Sequence, residues 1–63
     1  MFEEHASVQA TRDLSDNVLA DCKGAVVFIH FGSSLAYEVE FFNDENDTID
    51  VLTVKPDDIK LKQ

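Results

Sequence analysis

Apolar and polar residues alternate most cleanly between Leu35 and Phe42, where the chain reads L-A-Y-E-V-E-F-F. Leu35, Tyr37, Val39 and Phe41 fall on one face, and Ala36, Glu38, Glu40 and Phe42 on the other. A period of two, rich in aromatic and β-branched residues, predicts a half-buried strand. Upstream, the run G-A-V-V-F-I-H-F-G from Gly24 to Gly32 is continuously apolar and bounded by glycine at both ends. Such a run marks a strand covered on both sides or strongly bent. Its period does not fix which parity points inward. Val27, Ile29 and Phe31 are assigned to the core, and Val26, Phe28 and His30 to the outside. Weaker alternation over residues 6–12, with Val8 and Ala10 on one side, predicts a first strand. Thr48 to Lys55, T-I-D-V-L-T-V-K, predicts another, with Ile49 and Val51 on one face and Leu52 and Val54 on the other. Ile59 and Leu61 alternate with Lys60 and Lys62 in a short last strand.

The connections are less uniform. Residues 13–23 admit two readings. Leu14, Val18 and Cys22 are spaced by four, Ser15 stands where an N-cap belongs and Gly24 where a helix ends, which suits a short helix. Two isolated turns of helix are marginal, however, and the polar run D-L-S-D-N-V equally suits a long ordered loop pinned by Leu14, Val18 and Leu19. Gly32-Ser33-Ser34 is a turn signal. Asn43 to Asp47, N-D-E-N-D, is a hairpin loop, because Asn and Asp tolerate positive φ and bond their own backbone. Pro56-Asp57-Asp58 is a stop and a tight 3-10 turn, and Phe2 to His5 caps or frays one end. Five short strands in 63 residues predict one all-β domain spanning residues 1–63. Its architecture is a small five-stranded, strongly bent barrel, with a long loop after the first strand and a 3-10 turn before the last.

The order G-A-V-V-F-I, A-Y-E-V-E-F-F, T-I-D-V-L-T-V, P-D-D-I-K-L covers nearly the whole chain. It resembles a family of short bacterial proteins of unknown function with SH3-like barrels, related to translation-factor-type barrel modules. The Y-E-V-E-F core and the closing L-T-V-x-x-D-D-I carry the resemblance. It implies that residues 13–23 are a long loop and that Pro56 to Asp58 form a helical turn. Such sequences carry a glycine and then an aspartate shortly before the glycine matching Gly24; here those positions hold Asp21 and Cys22. Aspartate is among the few residues that can replace a glycine at positive φ. The resemblance implies no reaction, and for some members it implies one half of a toxin-and-neutraliser gene pair.

Charge narrows the function classes. Thirteen acids against five Lys and Arg give a net charge of −8. Residues 24–54 hold six acids and no Lys or Arg, whereas residues 55–63 hold two acids and three lysines. Affinity for phosphate needs clustered Lys and Arg, so no nucleic-acid partner is expected, and anionic membrane surfaces are disfavoured equally. Basic proteins are the expected partners. The alternative use of the acidity is solubility alone. No stretch is long and apolar enough for a spanning helix. The start M-F-E-E-H is acidic where a secretory signal is basic and then apolar, and the lone Cys22 excludes an intrachain disulfide. These features predict a cytoplasmic protein.

Candidate chemistry is sparse. Glu38 and Glu40 lie about 7 Å apart along a strand, a spacing that glycosidases use, but they sit on a solvated face where no burial would raise one pKa. Asp44, Asn46, Thr48 and Asp50 alternate as in a calcium loop. Ile49 replaces the glycine at its sixth position and Lys55 the glutamate at its twelfth. His5, His30 and Cys22 do not make a zinc set. Cys22 beside Lys23 would be reactive only with a lowered pKa. No catalytic residue, cofactor or metal ion is expected. What remains is a candidate protein interface: Glu38, Glu40, Asp44, Glu45, Asp47 and Asp50 as a charged rim, with Phe42 and the neighbouring Phe28 as apolar anchors. Burial of Phe42 in a small second cluster with Phe2 is the competing arrangement.

Two functions fit. One is a non-enzymatic acidic interaction module, in its sharpest form an antitoxin-like or immunity-like neutraliser of a basic nuclease-type protein. The other is a barrel that self-associates as a homo-oligomer without a separate client. Either way, at near-physiological salt the protein is expected to leave duplex DNA and RNA unshifted in a gel, because too few cations are clustered to release counterions. A micromolar shift that weakens with added salt would contradict the charge argument.

Overall fold

A computed structural model describes residues 2–62. They form five strands: β1 (Ser7–Ala10), β2 (Lys23–His30), β3 (Ala36–Phe42), β4 (Thr48–Val54) and β5 (Ile59–Leu61). All neighbours are antiparallel, in one sheet ordered β4-β3-β2-β1-β5. A 3-10 turn, Pro56–Asp58, joins β4 to β5. The long loop after β1 and the 3-10 turn before β5 stand where the sequence pattern places them. β4 and β5 end the sheet and do not pair with each other, so the sheet is open between them.

The inward face of β3 is the one its alternation predicts. Tyr37, Val39 and Phe41 are fully buried, together with Val8 and Ala10 of β1, Val26 of β2 and Val18 of the long loop. Val54 and Ile59 close the core from β4 and β5. Phe2 packs edge-on against Tyr37, with ring centroids 5.3 Å apart. Its N–H donates to the Tyr37 hydroxyl at 3.0 Å, which gives the buried phenol the partner it needs.

In β2 the assigned parity is corrected. Val26 is buried, whereas Val27 is 38% exposed, Phe28 50% and Phe31 72%. The reason is a bulge: Val26 lies opposite Val39 but Phe28 opposite Glu38, so Val27 is an extra residue on this strand. A bulge resets the in–out alternation at its own position. Ile29 therefore does pack against the core, and Phe28 and His30 face outward as assigned. Val27 and Phe31 do not belong to the core.

Residues 13–22 form a loop, not a helix. The Ser15 hydroxyl accepts from the Asn17 and Val18 amides at 3.3 and 3.1 Å, but the Leu14 amide then closes the turn on the Val18 carbonyl at 2.8 Å. The buried Val18 pins the loop and Leu14 packs beside the core, while Leu19 is exposed and pins nothing. Asp21 has φ 70°, a left-handed conformation that aspartate is among the few non-glycine residues to adopt. Its amide donates to the Ala10 carbonyl at 2.8 Å and the Ala10 amide donates to Cys22 at 2.9 Å, clamping the loop to β1.

The 3-10 turn is tied to the same end of β1. The Thr11 amide and hydroxyl donate to the Asp58 and Asp57 carbonyls at 2.9 and 2.7 Å. Asp58 is buried, and its carboxylate accepts from the Lys55 amide at 3.0 Å and from Arg12 Nη2 and Nε at 2.7 and 3.1 Å. The Lys55 amide, with the Arg12 guanidinium behind it, outweighs burial and holds this carboxyl below the usual carboxylate range.

Gly24 is the tightest point of the sheet. A Cβ there would lie 2.8 Å from Val39 Cγ1, 2.9 Å from the Glu40 carbonyl oxygen and 3.0 Å from Phe41 Cδ1. The backbone oxygen cannot rotate away as a side chain could. Gly24→Ala is expected to cost about 1–3 kcal/mol in urea unfolding, the range of an overpacked core. Gly32→Ala, with nothing within 4 Å of its Cβ, is expected to stay near wild type. Equal midpoints for the two variants would show that the close approach carries no weight.

Candidate functional site

The strand order decides where the charges gather. β3 and β4 form one end of the sheet and β5 the other. The first end carries all six acids of residues 24–54, and the second carries Lys60 and Lys62. Glu38 and Glu40 stand on the outer face of β3, opposite Thr53 and Val51 of β4. Asp44, Glu45 and Asp47 are exposed in the β3–β4 loop. That loop is built on Asn43, whose side-chain oxygen accepts from the Glu45 and Asp47 amides at 2.9 and 3.0 Å. Asn46 takes φ 66° to close it. Asp50 departs from the group: it lies opposite the inward-facing Phe41, not on the outer face. Its carboxylate accepts the Val51 amide at 2.9 Å.

Few of these acids have a charged partner. Among the described residues the ion pairs are Arg12–Asp58, His30–Glu38 at 3.4 Å and Lys60–Asp21 at 3.6 Å. Glu40 meets only the Thr48 hydroxyl. Asp44, Glu45, Asp47 and Asp50 take part in no pair, and Lys23, the nearest lysine, donates instead to the Asn46 side chain at 2.7 Å.

The two aromatic anchors are not brought together. Phe28 lies opposite Glu38, whereas Phe42 lies opposite Thr48, four residues or about 13 Å further along β3. Phe28 touches His30 edge-on at 4.8 Å and is half exposed. Phe42, beyond a register shift after Phe41, is half-buried. It does not join Phe2, which is occupied by Tyr37. Instead it lines an open groove of about 600 Å³ between the long loop and the β3–β4 hairpin, with Leu19, Cys22, Ile49 and Lys62. Phe28 is thus the anchor beside the acids, with Val27 exposed on the same strand and Phe31 exposed just past its end. Val27 was missed because a continuous apolar run carries no mark of its bulge, and Phe31 because the run does not mark where the strand ends.

The groove carries little chemistry of its own. Burial, followed by the negative charge of Asp44, pushes the Cys22 thiol up, against the opposing effects of the Phe42 backbone and Lys23. A thiolate nucleophile needs the reverse. Among the described residues no three His, Cys, Asp or Glu stand together as a metal site, and no helix is long and apolar enough to cross a membrane.

A family model, that of a domain of unknown function (DUF4926), matches residues 4–61. The chain belongs to the DUF4926 family. The match takes in all five strands, the groove and the acidic hairpin, and its description carries no reaction or ligand. Neither the curated proteins nor the solved structures gave a match.

Proposed function

We propose that this DUF4926 protein is a non-enzymatic interaction module that binds a basic protein surface. The observation that supports it is the set Glu40, Asp44, Glu45, Asp47 and Asp50, gathered at one end of the sheet with no ion partner among the described residues. Crowded like charges repel across a sheet, and a folded chain gains nothing from them by itself. A cationic partner turns that repulsion into attraction and steers its own approach. Phe28 supplies the apolar contact at the edge of this charge, flanked by Glu38. The client that fits is a protein with a cationic groove of the kind that holds nucleic acid, and the role is that of a neutraliser occupying the groove with carboxylates in place of phosphates.

Self-association is the second reading, supported by the exposed Phe28, Val27 and Phe31. It makes the opposite forecast for charge, because two acidic surfaces repel.

The deciding variant is Glu38→Gln with Glu40→Gln and Asp47→Asn. Immobilised wild-type protein is expected to retain basic proteins from a host lysate and to release them as salt is raised. The charge variant is expected to retain them at least about tenfold less, through slower association. Phe28→Ala is expected to speed dissociation and leave the salt dependence unchanged. A charge variant that captures the same proteins equally well, or that dimerises more tightly in sedimentation, would overturn the proposal.

A further inference from the structure

The two ends of the sheet are guarded very differently. β5 has three residues, one of them Lys60, and Lys62 follows it. Short length and lysine are ordinary ways of keeping an edge strand from pairing with another chain. β4 has seven residues, Thr48–Val54, with neither lysine nor proline among them. Apart from its ladder with β3, no backbone hydrogen bond among the described residues reaches residues 48–54.

The direction of its free groups follows from the ladder. The Glu40 carbonyl faces β2, since it lies 2.9 Å from the Cβ position of Gly24. Val51, opposite Glu40, therefore turns its own amide and carbonyl away from β3 and toward the open edge. The Asp50 carboxylate sits on that amide at 2.9 Å. By strand alternation Thr53 faces the same way. Both side chains are exposed, Val51 by 52%.

We infer that β4 is a docking edge for an extended, lysine- or arginine-rich segment of the partner, which adds to the sheet as a sixth strand. This rests on the acidic-module reading and names how that partner is held. Main-chain bonds to Val51 and Thr53 supply register and affinity, and alternate side chains of the incoming strand supply specificity. Charge chooses the occupant. Asp47 and Asp50 lie on β4 or just before it, and Glu40 lies beside it on β3, all without ion partners among the described residues. A second copy of β4 would set these acids against themselves, whereas basic side chains of an incoming strand would meet Glu40 on the outer face and Asp50 on the other. Asp50 gives up the Val51 amide to the incoming carbonyl and is freed to face a cation.

The test uses the full chain and two synthetic probes of equal charge. One is a peptide of alternating Lys and Val matching β4 in length; the other is the same peptide N-methylated at every peptide bond, which leaves no main-chain donor on either edge. With the first, hydrogen exchange at the Val51 and Thr53 amides is expected to slow by about tenfold or more while exposed amides of the β3–β4 loop stay fast. The methylated peptide is expected to bind about tenfold more weakly. Val51→Pro removes an edge donor at a position where a strand tolerates proline; it is expected to keep the fold and lose the preference between peptides. Should that variant fail to fold, the exchange pattern of the wild type still decides. If both peptides bind equally, with no protection at Val51 and Thr53, the edge inference falls while the acidic-module reading stands. If neither binds at any salt concentration, both fall.

Discussion

The passage of β2 beneath β3 at Gly24 is the constraint on which the rest of this fold depends. On one side Gly24 pairs with Val8 of β1, on the other with Phe41 of β3. A side chain at this point would strike the Glu40 backbone as well as two core side chains. The middle of the sheet is thus drawn tight, and Val26, two residues on, reaches the centre of the core. Immediately beyond it the chain has one residue too many for its partner strand. The bulge at Val27 absorbs that residue and turns Phe28 outward beside Glu38. Core packing and the candidate interface are two consequences of the same short stretch of β2.

The carboxylates divide by the way the structure treats them. Asp58, the buried one among the described residues, receives a backbone amide and a two-pronged guanidinium contact. That is the treatment a buried charge requires, and it ties the 3-10 turn to the end of β1. Apart from Glu38, which meets His30, the acids of the β3–β4 hairpin receive backbone or hydroxyl contacts at most and no cation among the described residues. Carboxylates that serve the fold are held; those on the hairpin are left available. The strand order places them at the opposite end of the sheet from Lys60 of β5, while Lys62, just past β5, comes round to the groove that Asp44 also lines.

Much of this was legible in the sequence where local chemistry dominates. The period of β3 gave its inward face because one side of it is solvated. Asn43 and Asp47 marked the hairpin loop, and Pro56 the 3-10 turn. Asp21, at a position where the resemblance implies glycine, marked a left-handed residue, found at φ 70°. What was not legible depends on contacts distant in sequence. A continuous apolar run offers no alternation to read, so the bulge and the end of β2 were both invisible, and Val26, Val27 and Phe31 were assigned to the wrong sides. The Arg12–Asp58 contact joins residues 46 positions apart. Phe42 and Phe28 looked like one anchor pair until the register placed them at opposite ends of β3. The open edge of β4 follows from strand order, which no local pattern encodes.

The central claim is that the hairpin acids burden the isolated fold and are retained for a partner. Thermal unfolding as a function of sodium chloride tests it most directly, because salt screens repulsion between exposed charges and leaves core packing untouched. Between about 10 mM and about 500 mM salt the screening length falls from about 30 Å to a few ångströms. On this account the midpoint temperature of the wild-type protein rises across that range. A midpoint that falls as salt is added would contradict it, since the acids would then be held by attractive pairs within the fold itself.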